Sequence, residues 1–279
     1  MRSILLGLAT MALAPTAAGG QPPLAAPPVA QAPPAIRDGE PEFRAARVAR
    51  ARGDYAEALR LYKLADGLGF VAAENEIGGL YAAGGAGLAK DEAQALLWYR
   101  IGADHGDPWA QLNMGWCYAQ GRGAPRDDVQ ALRWYRLAAA QGNGFAEQNI
   151  GAMYANGQGG LTRDDAEAAR WFRMAAEQGN PSAQFNLGLM YHEGRGVGQD
   201  DVQAAGWFRR VADQADRWAG YAEPAVTRMV AAAERMLGQM YADGRGEAAD
   251  PAQARSLMAK AAALGDEPAK TWLAAHPAP

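Results

Sequence analysis

Cysteine is nearly absent from this chain of 279 residues: Cys117 stands alone, which excludes an intramolecular disulfide and any cysteine-cluster zinc site. Histidine is scarce too. His105, His192 and His276 are scattered with no ligand spacing, so neither a metal nor a cofactor is called for. There is no basic excess. The net charge is -4 and the pI about 5.5, where a protein that tracks nucleic-acid phosphates carries a basic patch or stripe, so no nucleic-acid partner is expected. Beyond the first few residues the only serines are Ser182 and Ser256, neither within Gly-x-Ser-x-Gly, and no Ser, His and Asp set or Cys and His pair emerges, so no catalysis is expected. No apolar run reaches the roughly 20 residues that span a bilayer as a helix. What the chain does have is 49% hydrophobic and 21% charged residues, enough for a folded core. One or two compact domains would suit the length unless the chain is a linear array, so repeats decide the matter.

The N-terminus reads Met1-Arg2-Ser3, then an apolar stretch from Ile4 to Leu13, then small residues at Ala14 and Ala17-Ala18. That order predicts a secretory signal over 1–18, cleaved after Ala14 or Ala18; a membrane anchor is the rival, disfavoured by the short stretch. From Pro15 to Pro41 lie eight of the sixteen prolines, a composition of extended spacers, so residues 19–40 are expected to be a linker rather than a ligand for an adaptor domain.

Beyond Pro41 one unit recurs, as Ile77-Gly78-Gly79-Leu80-Tyr81, Met114-Gly115-Trp116-Cys117-Tyr118, Ile150-Gly151-Ala152-Met153-Tyr154, Leu187-Gly188-Leu189-Met190-Tyr191 and Leu237-Gly238-Gln239-Met240-Tyr241. The tyrosines are 37, 36, 37 and 50 residues apart. Glycines follow in pairs, Gly121/Gly123, Gly157/Gly159, Gly194/Gly196 and Gly244/Gly246, with a variant at Gly84, Gly85 and Gly87, and predict a helix end. Next comes an aspartate with Gln or Glu three residues on: Asp91/Gln94, Asp127/Gln130, Asp164/Glu167, Asp200/Gln203 and Asp250/Gln253. These read as N-caps opening a second helix. Seven residues after each aspartate stands an aromatic pair, Trp98-Tyr99, Trp134-Tyr135, Trp171-Phe172 or Trp207-Phe208, replaced by Leu257-Met258 in the last copy, and a closing glycine follows. Each unit is a helical hairpin. A half-match from Asp54 to Gly69 makes six, the first with a tight loop; extra residues fall near 215–230, where Pro224 can start a lengthened helix, and a short helix is expected near 267–275.

A period of 36 to 37 with Leu-Gly-x-x-Tyr, Gly-x-Gly, Asp and Ala-x-x-Trp-Tyr-x-x-Ala-Ala-x-x-Gly resembles the Sel-one-like repeat family, relatives of the tetratricopeptide repeats, over residues 42 to 276. The resemblance implies an all-α fold, a right-handed superhelical solenoid of antiparallel helix pairs, used mainly as an adaptor or scaffold and often secreted or periplasmic. It implies a protein partner, such as the periplasmic region of a sensor kinase or an envelope assembly or polysaccharide-export component. Some secreted relatives carry a disulfide in each repeat, and some of those are linked with penicillin binding or hydrolysis; a β-lactam or cell-wall enzyme is therefore the rival reading, against which the missing cysteines count. One hairpin cannot bury its apolar face, but stacked hairpins share a continuous core. The glycines inside the first helices fit if two backbones approach closely there.

Within the first helix of the second full copy, Ala110, Met114, Cys117 and Tyr118 make a core face. Trp109, Leu112, Trp116 and Gln120 form a second stripe roughly 140° away. By the resemblance that stripe faces a concave groove, continued at Asn75, Phe145, Gln148, Asn156, Phe185, Leu189, Glu193, Arg235, Gln239 and Asp243, with His192 at its edge. Aromatic and apolar positions flanked by polar ones suit recognition of a peptide or a helix. The competing reading is that Trp109, Trp116 and Phe185 pack between neighbouring first helices. Cys117 occupies a slot filled elsewhere by Leu or Met and reads as a buried thiol. Arg44, Arg47, Arg50 and Arg52 form a basic strip, either a solvated cap or a docking face for an acidic partner.

Overall fold

A computed structural model describes residues 38–214 and 224–277. The expected signal, nearly all of the expected linker and residues 215–223 of the expected insertion lie outside the described residues. Thirteen α-helices are described, with one isolated bridge between Gly85 and Leu88 as the extended pairing among these residues. They fall into two compact units.

The first unit, residues 38–143, holds α1 (Glu40–Ala51), α2 (Tyr55–Gly67), α3 (Ala72–Ala83), α4 (Glu92–Asp104), α5 (Pro108–Gln120) and α6 (Asp128–Ala139). The second, residues 144–277, holds α7 (Gly144–Asn156), α8 (Asp165–Glu177), α9 (Pro181–Glu193), α10 (Asp201–Asp213), α11 (Pro224–Asp243), α12 (Pro251–Ala263) and α13 (Glu267–Ala275). Odd and even helices pair as hairpins, and within each unit every second helix also packs on the next first helix. The all-α class and the consecutive pairing of helices are as the repeats predict.

The aspartates open the second helices by satisfying the first turn's free amides. Asp91 Oδ1 accepts from the amides of Ala93 and Gln94 at 3.0 and 2.9 Å, and Asp127, Asp164 and Asp250 do the same in their copies. First helices use a second set of caps, Asp107, Asn180 and Asp266, each accepting from the amide three residues on. Glycine ends the first helices: Gly121 and Gly194 are left-handed, and Arg122 and Arg195 donate their amides back to Cys117 and Met190.

In four of the five copies the helical glycine answers first to a side chain of its partner helix. A Cβ built on Gly115 would lie 2.5 Å from the Tyr135 ring, and Gly78, Gly151 and Gly188 meet Tyr99, Phe172 and Phe208 in the same way. The second residue of each aromatic pair therefore fills the notch its partner helix leaves, and Tyr62, Phe172 and Phe208 are wholly buried. The expected close approach of two backbones occurs at Gly115 and Gly238, where the Cβ would meet the Ala131 and Ala254 carbonyl oxygens at 3.1 and 3.2 Å; at Gly78, Gly115, Gly151 and Gly188 a ring fills the space. Consecutive pairs are tied as well. Arg100 donates to the Tyr118 hydroxyl at 2.9 Å and Arg173 to Tyr191 at 2.7 Å, while Lys63 and Arg209 serve Tyr81 and Tyr241. The arginine of the Gly-Arg-Gly loop reaches a carboxylate in the first turn of the preceding second helix: Arg122 to Glu92, Arg195 to Asp165 and Arg245 to Asp201, each at 3.0 Å.

Candidate partner-binding face

In the first unit the predicted stripe divides. Leu112 is buried, packed into the interior, and so offers no surface in this structure. Trp109 and Trp116 are half-buried and Gln120 is exposed. Seven residues separate the tryptophans, so two helical turns place them on one face of α5. The Arg122 guanidinium lies 5.1 Å from the Trp116 ring centroid, and part of that indole packs on the core around Met114 and Cys117. The Asn113 side-chain amide donates to Asn75 Oδ1 at 2.8 Å, bridging α5 and α3 beside this face.

In the second unit more of the stripe is interior. Gln148, Phe185 and Leu189 are buried, and Phe185 lies 5.6 Å from the Phe208 ring. Leu112, Gln148, Phe185 and Leu189 are interior in this structure, because a 140° offset on a helix that touches partners on several sides still points at one of them. Phe145 is half-buried and Asn156 exposed. His192 sits with Nδ1 2.9 Å from Asp201, which also receives Arg245, so it belongs to an ion-paired junction. Arg235 is engaged by Asp266, and Gln239 donates to Asp243 one turn on. Cys117 is buried and its thiol is pushed up to about 12 by desolvation. Among the described residues no group of three metal-ligating side chains occurs, and no helix is long and apolar enough to cross a membrane.

A row of buried polar residues escaped the sequence reading. Four positions before each helical glycine stand Glu74, Gln111, Glu147, Gln184 and Glu234, all at most 5% exposed. The residue that ends the partner helix answers them. His105 Nδ1 lies 2.7 Å from Glu74, Gln141 donates to Gln111 at 2.9 Å, Gln178 to Glu147 at 2.8 Å and Gln214 to Gln184 at 3.3 Å. Gln111 and Gln184 also donate to the Ala103 and Ala176 carbonyls of the preceding second helix. Burial holds the Glu74 and Glu147 carboxyls above the usual range, partly offset by these partners. The signal was present in sequence as a position that is Glu or Gln in every copy and never apolar.

Comparisons with known proteins agree with this architecture. The Sel1 repeat matches residues 49–65, 71–107, 110–143, 144–180, 181–216 and 231–266. A Sel1 repeat protein from Oxalobacter formigenes is similar in structure with a TM-score of 0.70 and 32% identity, over 84% of this chain and 89% of that one. The protective antigen c5321 of uropathogenic Escherichia coli, which displays an SLR fold, is 31% identical with a TM-score of 0.59 over 85% of this chain; the match spans only 56% of that longer protein. The immunity protein PA5088 of Pseudomonas aeruginosa, 20% identical over 89% of this chain and 90% of its own with a TM-score of 0.50, shares the fold. No curated protein matches significantly. With six matched copies, the notch-and-ring pairing in successive hairpins and a relative of known structure at 32% identity, the chain belongs to the Sel1 repeat family.

Proposed function

We propose that the chain is a non-enzymatic adaptor of the bacterial envelope, exported by its N-terminal segment to act in the periplasm or outside the cell, and that it holds a protein partner against the Trp109 and Trp116 face of α5. Sel1 repeats are in general interaction scaffolds without catalysis, and the solenoid fold is typical of protein–protein interaction modules. The observation that carries the reading is the pair of half-exposed indoles on one helix face, bordered by Gln120 and the Asn75–Asn113 bridge. Large, rigid aromatic surface flanked by polar groups is the composition of interface centres. A periplasmic sensor-kinase region or an export component is the class of partner the reading favours. Crosslinking pull-down from the native envelope fraction tests it, comparing the wild type with Trp109→Ala and Trp116→Ala. Loss of a specific captured protein with an unchanged melting curve is the expected result; unchanged capture by both variants, or nitrocefin turnover abolished by one substitution on this face, overturns it.

A further inference from the structure

In the row of buried Glu and Gln residues, one copy lacks its answer. The helix-ending position that is His105, Gln141, Gln178 and Gln214 in the four hairpins from α3 to α10 is Leu264 in the last. Glu234 is 4% exposed, and its Oε2 has no hydrogen-bond partner among the described residues. We propose that Glu234 makes the C-terminal hairpin, α11 with α12, a pH-gated element, seated while the carboxyl holds its proton and loosened when it ionises.

The charges around it support this assignment. On α12 the group that acts on Glu234 is Lys260, whose ammonium partly offsets burial. On α11 the neighbouring Arg235 is committed to Asp266. On α10 Arg209 is taken by Glu247 and Tyr241, and Arg210 and Asp213 are exposed. On α9 His192 and Glu193 belong to the opposite helix end and to other partners, Asp201 and Arg195. In the Gln copies the side-chain amide donates to a carbonyl of the preceding second helix, a bond that a protonated Glu can make and a carboxylate cannot. Burial accordingly pushes the Glu234 carboxyl up to about 7.

The sign follows from proton counting. With its pKa raised on folding, Glu234 binds in the seated hairpin a proton that the open chain releases, so stability is full below the open-chain value and is lost as pH rises through the seated one. In a repeat array each hairpin leans only on its neighbours, so the loss is local to the hairpin that bears the group.

Hydrogen exchange of the full chain, read peptide by peptide between about pH 5.5 and about pH 8.5 and corrected for intrinsic rates, tests the proposal. Relative to α9 and α10, whose Gln184–Gln214 contact carries no titrating group, residues 231–263 should lose protection about tenfold or more across this range. Glu234→Gln should abolish the pH response. Leu264→Gln, which restores the amide donor of the other copies, should shrink it and move it to lower pH. A wild-type profile parallel to that of α9 and α10, or a pH response that survives Glu234→Gln, overturns the proposal. A response that Leu264→Gln leaves untouched also overturns it, because the missing donor would then not be the cause. The partner-capture experiment on α5 is independent of all these outcomes.

Discussion

A methyl group added to Gly115 would press into the Tyr135 ring at 2.5 Å, whereas on Gly238 its nearest neighbours are the Ala254 carbonyl oxygen at 3.2 Å and Leu257 Cβ at 3.3 Å. The last copy has Leu257-Met258 where the others have aromatics, and a flexible side chain leaves more room. Gly115→Ala should therefore cost about 1–3 kcal/mol through overpacking. For Gly238→Ala the helix-propensity gain of up to about 1 kcal/mol offsets the tighter fit, leaving it near neutral. Urea unfolding midpoints check the order, and equal midpoints would show that the ring shifts freely. A second residue-scale expectation concerns Cys117: buried and held as a thiol, it should label with a thiol reagent only on the timescale of unfolding, and fast labelling of the native chain would contradict the packing. These glycines were legible in the sequence by recurrence. Their reason was not, since spacing alone does not say whether a ring or a backbone fills the notch.

At the scale of the element, four hairpins, α3 with α4 through α9 with α10, are closed at one end by a Gly-containing loop and at the other by the buried Glu or Gln and its amide or imidazole partner. Gln178→Ala would leave the Glu147 carboxyl, 2% exposed, without the donor that now meets it at 2.8 Å. A loss of about 1–3 kcal/mol near neutral pH is expected, because an unanswered buried acceptor costs its desolvation. The Glu147 carboxyl is raised on folding, so the stability it contributes is full below its unfolded value and fades as pH rises through the folded one. The damage from Gln178→Ala should accordingly diminish in mild acid, where Glu147 is protonated; thermal melts across that range would show it, and a pH-independent loss would contradict it. The capping aspartates were read correctly from their spacing, since an N-cap is a local contract between one side chain and amides two or three residues on. The closing row was missed because its partners stand about thirty residues apart, so local periodicity does not flag them, and only aligning the copies shows the position that is Glu or Gln throughout.

On the scale of the whole molecule, repetition made the fold readable: Gly and Asp recurring five times at fixed offsets, with an aromatic pair in four of the copies, require one supersecondary unit many times over. Function was less readable, for a physical reason. A first helix touches its own partner, the preceding second helix and neighbouring first helices, so a stripe that is apart from the intrahairpin core can still be interior, as Leu112, Phe185 and Leu189 are, while Trp109 and Trp116 on the same stripe keep part of their surface. Truncating both indoles together should reduce partner capture more than either alone while the circular-dichroism melt stays within a few degrees, and a collapsed melt would assign them to packing.

The loop arginines also give the array a direction. Arg122, Arg195 and Arg245 each dock on an acid supplied at the first helical position of the copy before, at Glu92, Asp165 and Asp201, but α12 begins with Pro251 at that position. Splicing a further copy in after α12 would thus find no carboxylate to receive its loop arginine, as well as an apolar Leu264 where the host hairpin should be fastened. An engineer lengthening this scaffold downstream would have to install both fittings first, Pro251→Asp and Leu264→Gln, whereas a copy inserted between α8 and α9 would find Asp165 already waiting.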